Sequence, residues 1–187
     1  MTRLREAFPE ASLEVWAQDE ARLGLKPTQS RGWAPIGRRR VARQRIRYEW
    51  LYLYGFVRPK TGAVFFLLLP TVNAAVFSIS LRHFADHVGA GPDRRILLVL
   101  DGAGFHTAHD VVVPEGIHLL FQPPYSPELQ PSEKLWIPVR EHLHNRCFDT
   151  IDDLEDVVEE RCLQIQKDTE DIRSRTLFHW WEAALAQ

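Results

Sequence analysis

The sequence predicts a mixed α/β sheet covered by helices, built as a single domain over residues 1–187. Three observations lead to this prediction. Two aromatic-rich segments flank a glycine-containing turn, which is the pattern of an antiparallel hairpin. Two short, continuous apolar segments further on are typical of buried central strands. Segments with helical spacing lie between and after these strands, so helices would cover the sheet.

The first half of the chain is predicted to supply the antiparallel part of this sheet. An alternating strand is expected to end at Asp19 and Glu20, and a polar segment interrupted by Gly and Pro follows it. A helical apolar spacing begins after a predicted cap at Asn73. The predicted elements, in chain order, are a strand (13–18), a functional loop or ribbon (21–47), two hairpin strands (48–57 and 63–70) and a helix (75–88).

The second half is predicted to supply buried strands and most of the covering helices. The run that ends at Asp101 is short, apolar and continuous, as in a central strand. Thr150 and Asp153 match a capping box, with Asp in place of the usual Glu or Gln, so a helix is expected to begin there. The predicted elements are strands at 95–101 and 117–122, a short helix within 106–113, and helices at 132–146, 151–166 and 174–186.

Composition is that of a globular protein without a membrane segment. Apolar residues make up 45% of the sequence and charged residues 26%, which is typical of this class. No run approaches the roughly 18 apolar residues that cross a bilayer, and the N-terminus lacks the apolar core of a signal peptide. With only two cysteines, a disulfide framework is not expected, and a cytoplasmic location is the default expectation.

Charge is segregated along the chain although the formal net charge is only −2. Residues 31–47 hold seven arginines and no acid, whereas residues 148–160 hold seven acids and no base. A solvated loop would account for the basic run, but arginine also grips phosphates with its planar guanidinium group. The candidate phosphate contacts are Arg38, Arg39, Arg40, Arg43 and Arg45.

Three carboxylates are expected at the ends of three different elements. Asp19 and Asp101 each follow a predicted strand, and functional groups of open α/β sheets gather beyond strand ends. Glu133 begins a predicted helix, within a segment that holds four prolines between residues 120 and 136. Because proline fixes φ, this segment would be a stiff connector that delivers Glu133 to one place. The simpler explanation is that an acid in the first helical turn complements the helix dipole.

If the three carboxylates converge, a cation is needed between them, because clustered anions repel each other. Carboxylate oxygens are hard ligands that suit Mg²⁺ or Mn²⁺. A pair of such ions about 4 Å apart is a known arrangement for phosphodiester cleavage, in which one activates the attacking oxygen and the other stabilises the leaving oxygen. The pattern therefore indicates a candidate two-ion site at Asp19, Asp101 and Glu133.

Four motifs together resemble the catalytic domain of DDE transposases, in particular the bacterial insertion-sequence branch of the mariner superfamily. They are VWAQDEARLGL, GWAPIGRR, LLVLDGAGFHTA and FQPPYSPELQPSEKLW. The proline-rich motif that ends in Glu-x-x-Trp is the most specific of the four. The resemblance implies a ribonuclease-H-like fold and a metal-binding triad of Asp19, Asp101 and Glu133. It also implies that His106 acts beside the second acid or on the substrate.

The resemblance further implies a reaction and its partners. Such domains use Mg²⁺ or Mn²⁺ to hydrolyse DNA at transposon ends and then join the 3′-hydroxyl to target DNA, as a dimer. This sequence departs from the family pattern at Gly102, where Asn is usual, and at Gln130 and Ser132, which replace Asn and an apolar residue. Relatives carry helix-turn-helix modules before this domain, so a separate N-terminal DNA-binding polypeptide and an inactive remnant are both open interpretations.

Three rival functions remain open from the sequence. A ribonuclease-H-like nuclease would cleave DNA without strand transfer, and an inactive remnant would bind DNA without binding metal. A carboxylate-pair hydrolase such as a glycosidase would need only the acids, and the arginine run disfavours it. Glu20 is expected to face away from Asp19, because side chains alternate along a strand, which leaves it an outward or supporting position.

Overall fold

A mixed β-sheet organises the protein. In the computed structural model, the described residues are 2–26, 35–37, 47–123, 126–179 and 181, and they form a five-stranded sheet in the order β3-β2-β1-β4-β5. The first three strands are antiparallel, and β4 and β5 run parallel to β1. The predicted combination of an antiparallel hairpin with parallel strands is therefore confirmed. The strands are β1 (Ser12–Gly24), β2 (Trp50–Arg58), β3 (Ala63–Leu69), β4 (Arg94–Leu100) and β5 (Ile117–Phe121).

Strand β1 is longer than the sequence analysis predicted. It continues past Asp19 to Gly24 and pairs with β2 along this extension, with Asp19 opposite Gly55 and Gly24 opposite Trp50. Its register with β4 runs only from Ser12 to Ala17. The prediction of a strand end at Asp19 and Glu20 was wrong, as was the assignment of residues 21–24 to a loop. The alternation in fact continues, since the side chains at positions 21 and 23 are buried and the one at 22 is exposed.

Helices cover both faces of the sheet. The described residues contain five α-helices and two short 3₁₀ helices, Pro127–Leu129 and Pro131–Leu135. Asn73 caps its helix by accepting a hydrogen bond from the backbone N–H of Val76 at 2.9 Å, and the capping box of Thr150 with Asp153 is present, as predicted. The α-helices are α1 (Thr2–Ala7), α2 (Ala74–Val88), α3 (Trp136–Leu143), α4 (Ile151–Lys167) and α5 (Thr169–Thr176).

Several predicted helix positions were wrong. Residues 106–113 form turns and irregular structure rather than a helix. The helix expected at 132–146 begins as a 3₁₀ helix and becomes α-helical only at Trp136, and Pro138 falls in its first turn, where a missing N–H costs nothing. The helix predicted from 174 is interrupted, because α5 ends at Thr176 and residues 177–178 are not helical. Residues 182–187 lie outside the described residues.

The two faces of the sheet carry separate apolar cores within the described part of the chain. On one face, odd-numbered residues of β1 and β4 pack with Leu135, Trp136 and residues of α3, α4 and α5. On the other face, even-numbered residues pack with α2, where the rings of Phe56 and Phe84 stack 4.2 Å apart. None of the helices in the described ranges is long and apolar enough to cross a membrane.

Candidate active site

The Asp19 carboxylate lies on the face of β1 that is covered by α3. The indole Nε1–H of Trp136, the first residue of α3, donates a hydrogen bond of 2.7 Å to Asp19 Oδ2. Gly55 is opposite Asp19 on β2 and leaves room for the indole, since a Cβ there would lie 2.6 Å from Trp136 Cη2. Asp19 is thus held by a contact that depends on a glycine in the neighbouring strand.

The proline-rich connector brings Glu133 to the same region. Gln130 donates from its amide nitrogen to the carbonyl of Gln18 at 2.8 Å, which ties the connector to β1 one residue before Asp19. The following 3₁₀ helix packs on β1 and β2, with Leu135 and Trp136 fully buried. Proline at the first position of this 3₁₀ helix fixes its start. Glu133 lies in the first turn of this helix and is exposed.

Electrostatic interaction connects Asp19 with Glu133. Burial and, to a smaller extent, the negative charges of Glu133 and Glu20 raise the pKa of Asp19 to about 7, although the hydrogen bond from Trp136 acts in the opposite direction. A neighbouring carboxylate that raises the pKa of Asp19 does not by itself stabilise the fold. A bound cation would reverse the repulsion, so this pair has the character of a functional site.

Asp101 follows β4 and belongs to a second group of residues. The Nδ1–H of His106 donates to Asp101 Oδ1 at 2.8 Å, and its Nε2–H donates to Glu20 Oε1 at 3.1 Å. Gln18 also donates to Glu20 Oε1, at 2.7 Å. The backbone N–H of Ala103 donates to Asp101 Oδ1 at 3.1 Å. Asp101 remains exposed while one of its oxygens is held in place.

His106 bridges two carboxylates from a buried position. Only 2% of its surface is exposed, and its ring lies 4.5 Å from that of Phe77 and 4.2 Å from that of Phe105. Burial lowers the pKa of His106, but the hydrogen bonds and charges of Asp101 and Glu20 outweigh this effect and raise it to about 9. Since carboxylates only accept hydrogen bonds, both ring nitrogens donate and the ring is an imidazolium. In return, the hydrogen bond from His106 lowers the pKa of Asp101.

The structure therefore places the predicted acids in two neighbouring groups. Asp19 interacts with Glu133, and Asp101 interacts with His106 and, through it, with Glu20. Ala17 and Val99 are partners in the parallel register, so Asp19 and Asp101 each follow such a pair by two residues at one end of the sheet. Within the described ranges, no three His, Cys, Asp or Glu side chains are gathered closely enough to hold a metal ion. The oxygen donors nevertheless fit a hard divalent cation.

The arginines predicted to contact phosphates fall outside the residues that the structure describes. They are Arg38, Arg39, Arg40, Arg43 and Arg45. Glu20 does face away from Asp19, as alternation predicts, and it supports His106.

Sequence reasoning missed three residues that build this region. Trp136 matched a motif, but its hydrogen bond to Asp19 was not predicted. The tether from Gln130 to β1 was also missed, and so was the need for Gly55. A glycine inside an aromatic strand is a recognisable signal of close approach by another group, so Gly55 could have been found from the sequence.

The sheet order and the carboxylates at its end define a protein of the ribonuclease-H-like class with an acidic centre. The family model of the DDE superfamily endonucleases matches residues 14–155. The chain belongs to this family, and the membership predicted from the four motifs is confirmed.

Comparisons with individual proteins agree with this assignment. An uncharacterized protein of Sinorhizobium fredii (strain NBRC 101917 / NGR234), y4pE/y4sA, is 37% identical over 106 residues, which cover 56% of this chain and 77% of that protein. The Mos1 mariner paired end complex with Mn is similar in fold, with a TM-score of 0.63 and 19% identity over 93% of this chain. The catalytic domain of Mos1 mariner transposase has a TM-score of 0.58 and 18% identity, over 93% of this chain and 82% of that chain.

These structural likenesses confirm the predicted ribonuclease-H-like fold. The chain spans 57% of the length of the Mos1 chain in the paired end complex.

Proposed function

We propose that this chain is the catalytic domain of a DDE transposase, which cleaves phosphodiester bonds at transposon ends and joins the 3′-hydroxyl ends to target DNA. Family membership supports the endonuclease chemistry. The fold is similar to that of Mos1 in its paired end complexes with Mn and with Mg and in its strand transfer complex, which supports the transposase branch of the family. A homodimeric assembly belongs to the same proposal and rests on the family resemblance.

The environment of Asp19 is the observation that carries this proposal. Its carboxylate is mostly buried, is oriented by the Trp136 indole and is repelled by Glu133. A fold selected only for stability would gain by replacing one of these acids with a neutral residue. The arrangement is useful when the negative charge meets a cation, and Asp19, Asp101 and Glu133 are the residues that would hold Mg²⁺ or Mn²⁺. Two ions are proposed, as in other phosphodiester-cleaving sites.

Each neighbouring residue has a defined task in this proposal. The divalent ions, when bound, would supply activation of the attacking oxygen and stabilisation of the leaving oxygen. Trp136 fixes the orientation of Asp19, and the imidazolium of His106 keeps Asp101 ionised and restricts its rotation. Gln130 and the 3₁₀ helix keep Glu133 close to Asp19. Such positioning matters because small displacements of a catalytic group reduce the rate steeply.

Metal binding tests the triad directly. Mn²⁺ should raise the melting temperature of the wild-type protein, because a ligand that binds only the folded state stabilises it. Asp101→Asn and Glu133→Gln should lose most of this increase. Glu128→Gln is a matched control, because Glu128 is an exposed acid of the same connector and has no proposed role. An equal Mn²⁺ effect in Glu133→Gln would remove Glu133 from the site.

Cleavage and joining assays separate the proposed reaction from its rivals. The wild-type protein should nick supercoiled plasmid in Mg²⁺ or Mn²⁺ and should join an oligonucleotide with a free 3′-hydroxyl to that plasmid. Glu133→Gln should reduce both activities by orders of magnitude. Cleavage without joining would favour a nuclease, and DNA binding with neither activity would favour an inactive remnant.

A further inference from the structure

A cavity lies beyond the carboxylates, at the Gly24 end of β1. Its volume is about 410 Å³, within the usual range of roughly 300–1,000 Å³ for small-ligand sites. Leucines form part of its wall. Its basic and aromatic lining residues are Arg22, Lys26, Trp50, Arg140, Arg146 and Phe148.

The lining of this cavity is positively charged. Among its described lining residues, four are Arg or Lys and none is Asp or Glu. All four basic residues are exposed, so their charges can act on an entering ligand. A concave surface lined by one sign of charge attracts the opposite charge more strongly than a flat one. The cavity therefore suits an anion, and the arginines suit a phosphate in particular.

Aromatic rings accompany these charges. The guanidinium carbon of Arg22 lies 4.4 Å from the centre of the Trp50 ring, and that of Arg146 lies 5.4 Å from the centre of the Phe148 ring. Gly24 is opposite Trp50, and a Cβ at Gly24 would lie 2.6 Å from Trp50 Cζ3, so the indole rests directly against the strand. Trp50 is half-buried and held from two sides. An entering base would take the place of the guanidinium of the exposed Arg22 over the ring and stack on the indole.

The position of the cavity relates it to the candidate active site. Arg22 and Gly24 follow Asp19 by three and five residues on one strand, a separation of roughly 10–17 Å at about 3.3 Å per residue. Arg140 follows Trp136 by one turn of α3, or about 6 Å along the helix axis. A separation of roughly 10–17 Å corresponds to about three to five nucleotide steps of about 3.4 Å along one DNA strand.

One residue at this cavity and one contact close to it also involve basic side chains. Lys26 lines it, and Arg47 donates a hydrogen bond of 2.6 Å to the carbonyl of Asp149, the residue after Phe148.

We propose that this cavity binds one unpaired nucleotide of the DNA substrate, with its base on Trp50 and the adjoining phosphates on Arg140, Arg146 and Lys26. A cavity of this size excludes a duplex, and paired bases do not present their faces to a side chain. An unpaired nucleotide offers both a stacking face and a phosphate, which are the two features that the lining matches. The identity of the ligand as DNA rests on the proposed function.

Binding experiments in EDTA test this assignment without cleavage. A labelled duplex with a five-nucleotide single-stranded end is compared with a blunt duplex of equal length by fluorescence anisotropy. The wild-type protein should prefer the single-stranded end by about 5- to 150-fold, the range typical of one stacked base. Trp50→Ala should abolish this preference, and Trp50→Phe should retain most of it. Tyr48→Ala is the matched control, because Tyr48 is an exposed aromatic two residues away that does not line the cavity.

The arginines provide a second test that does not depend on a large core change. Arg140→Ala with Arg146→Ala should weaken binding of the single-stranded end and reduce the slope of log affinity against log salt by about 0.7 for each phosphate that is no longer neutralised. Arg82→Ala removes an exposed arginine from α2 and should leave affinity and slope unchanged. A preference for the single-stranded end that survives in both Trp50→Ala and the double arginine variant would overturn the proposal.

Two further outcomes separate this proposal from the proposed function. If the wild-type protein cleaves and joins DNA while all cavity variants bind like the wild type, only the cavity assignment fails. If the wild-type protein binds the single-stranded end through Trp50 but cleaves nothing, the cavity assignment stands and the catalytic one fails. A deoxynucleoside monophosphate that competes as well as the single-stranded end would identify a free-nucleotide site and would also overturn the proposal.

Discussion

The carboxylate of Asp19 combines three environments that individual residues rarely share. It is largely buried, it accepts a hydrogen bond from the Trp136 indole, and it is repelled by the negative charges of Glu133 and Glu20. Removing a carboxylate from water favours its protonated form, and one neutral donor offsets this only in part. The same residue therefore weakens the metal-free fold and suits a cation site.

This environment makes the stability of the metal-free protein depend on pH. Asp19 has an ordinary pKa of 3.8 and a pKa of about 7 in the folded protein, so the folded state retains a proton that the unfolded state has lost. The stability from this group is complete below about pH 4 and is lost as pH rises through about 7, by at most about 4 kcal/mol. Asp19→Asn should lack this loss, because Asn is neutral and still accepts from the Trp136 indole.

Thermal denaturation in EDTA at pH 5, 6, 7 and 8 measures the difference. The melting temperature of Asp19→Asn should rise relative to the wild type as pH increases. The comparison at each pH cancels the contribution of His106, which titrates in both proteins. Two parallel curves would show that Asp19 is ionised throughout and that its burial is less effective than the structure indicates.

The three acidic residues of the candidate site were predictable from the sequence, but the hydrogen bonds that hold them were not. Asp19, Asp101 and Glu133 stand beside strand and proline signals that are local in sequence. The contact between Glu20 and His106, which also holds Asp101, joins residues 86 positions apart, and no local pattern encodes such a contact. The hydrogen bond from Trp136 to Asp19 spans 117 positions, and it depends on how α3 docks on the sheet.

At the level of elements, the contact between β2 and the start of α3 sets the geometry of Asp19. Trp136 is 1% exposed and Leu135 is fully buried, so the junction between the 3₁₀ helix and α3 is anchored in the core. This junction contacts the sheet at Gly55, where the absence of a side chain allows the Trp136 indole to lie over β2. Gly55 and Trp136 are therefore a matched pair, in which the small residue makes room for the large one.

Gly55→Ala tests this pair. The added Cβ would lie 2.6 Å from Trp136 Cη2 and 3.2 Å from Leu135 Cδ1, so the helix start must move. Overpacking of this kind destabilises by about 1–3 kcal/mol, and the displaced indole would weaken its hydrogen bond to Asp19. Urea denaturation should show the loss of stability, and plasmid cleavage should fall in the same variant. Gly91→Ala is the control, because a Cβ there meets no heavy atom within 4 Å.

Strand and helix identities followed from the sequence better than their ends did. Periodicity located all five strands found in the described residues, and the capping box located α4, because these signals are repeated over several residues. The end of β1 was misplaced, since acids at Asp19 and Glu20 resemble a strand end although β2 continues to pair with them. Helix α1 and the 3₁₀ start of α3 were missed, because short helices carry too little periodicity to be recognised.

For the whole molecule, the arginine run and the charged cavity predict a basic surface despite a net charge of −2. The acidic run contributes to α4, which covers one core with its apolar residues and turns its acids to solvent. Opposite charges are thus carried by different parts of the chain. The sum of the charges therefore says little about the attraction between this protein and DNA.

Arg39→Ala with Arg40→Ala tests the basic run predicted from the sequence. If these residues bind phosphates, DNA affinity should fall, and the slope of log affinity against log salt should become shallower by roughly 0.9 for each duplex phosphate that is no longer neutralised. Filter binding at salt concentrations between about 50 and 200 mM measures this slope, because affinity changes steeply over that range. A double variant with an unchanged slope would assign DNA binding to another surface.

The pairing between the end of β1 and the start of β2 should allow the segment that joins them, residues 27–46, to be exchanged. The backbone N–H of Leu25 donates to the carbonyl of Glu49, and Arg47 is held by the carbonyl of Asp149, so both ends of the segment are fixed by the fold. Replacing residues 27–46 with a short glycine-rich turn changes the loop-closure free energy by only about 1 kcal/mol. Inserting the corresponding segment of a relative should change the loop-closure free energy by a similarly small amount. If this segment contacts DNA as the sequence predicts, such chimeras would differ from the wild type in DNA preference but keep the same acidic centre.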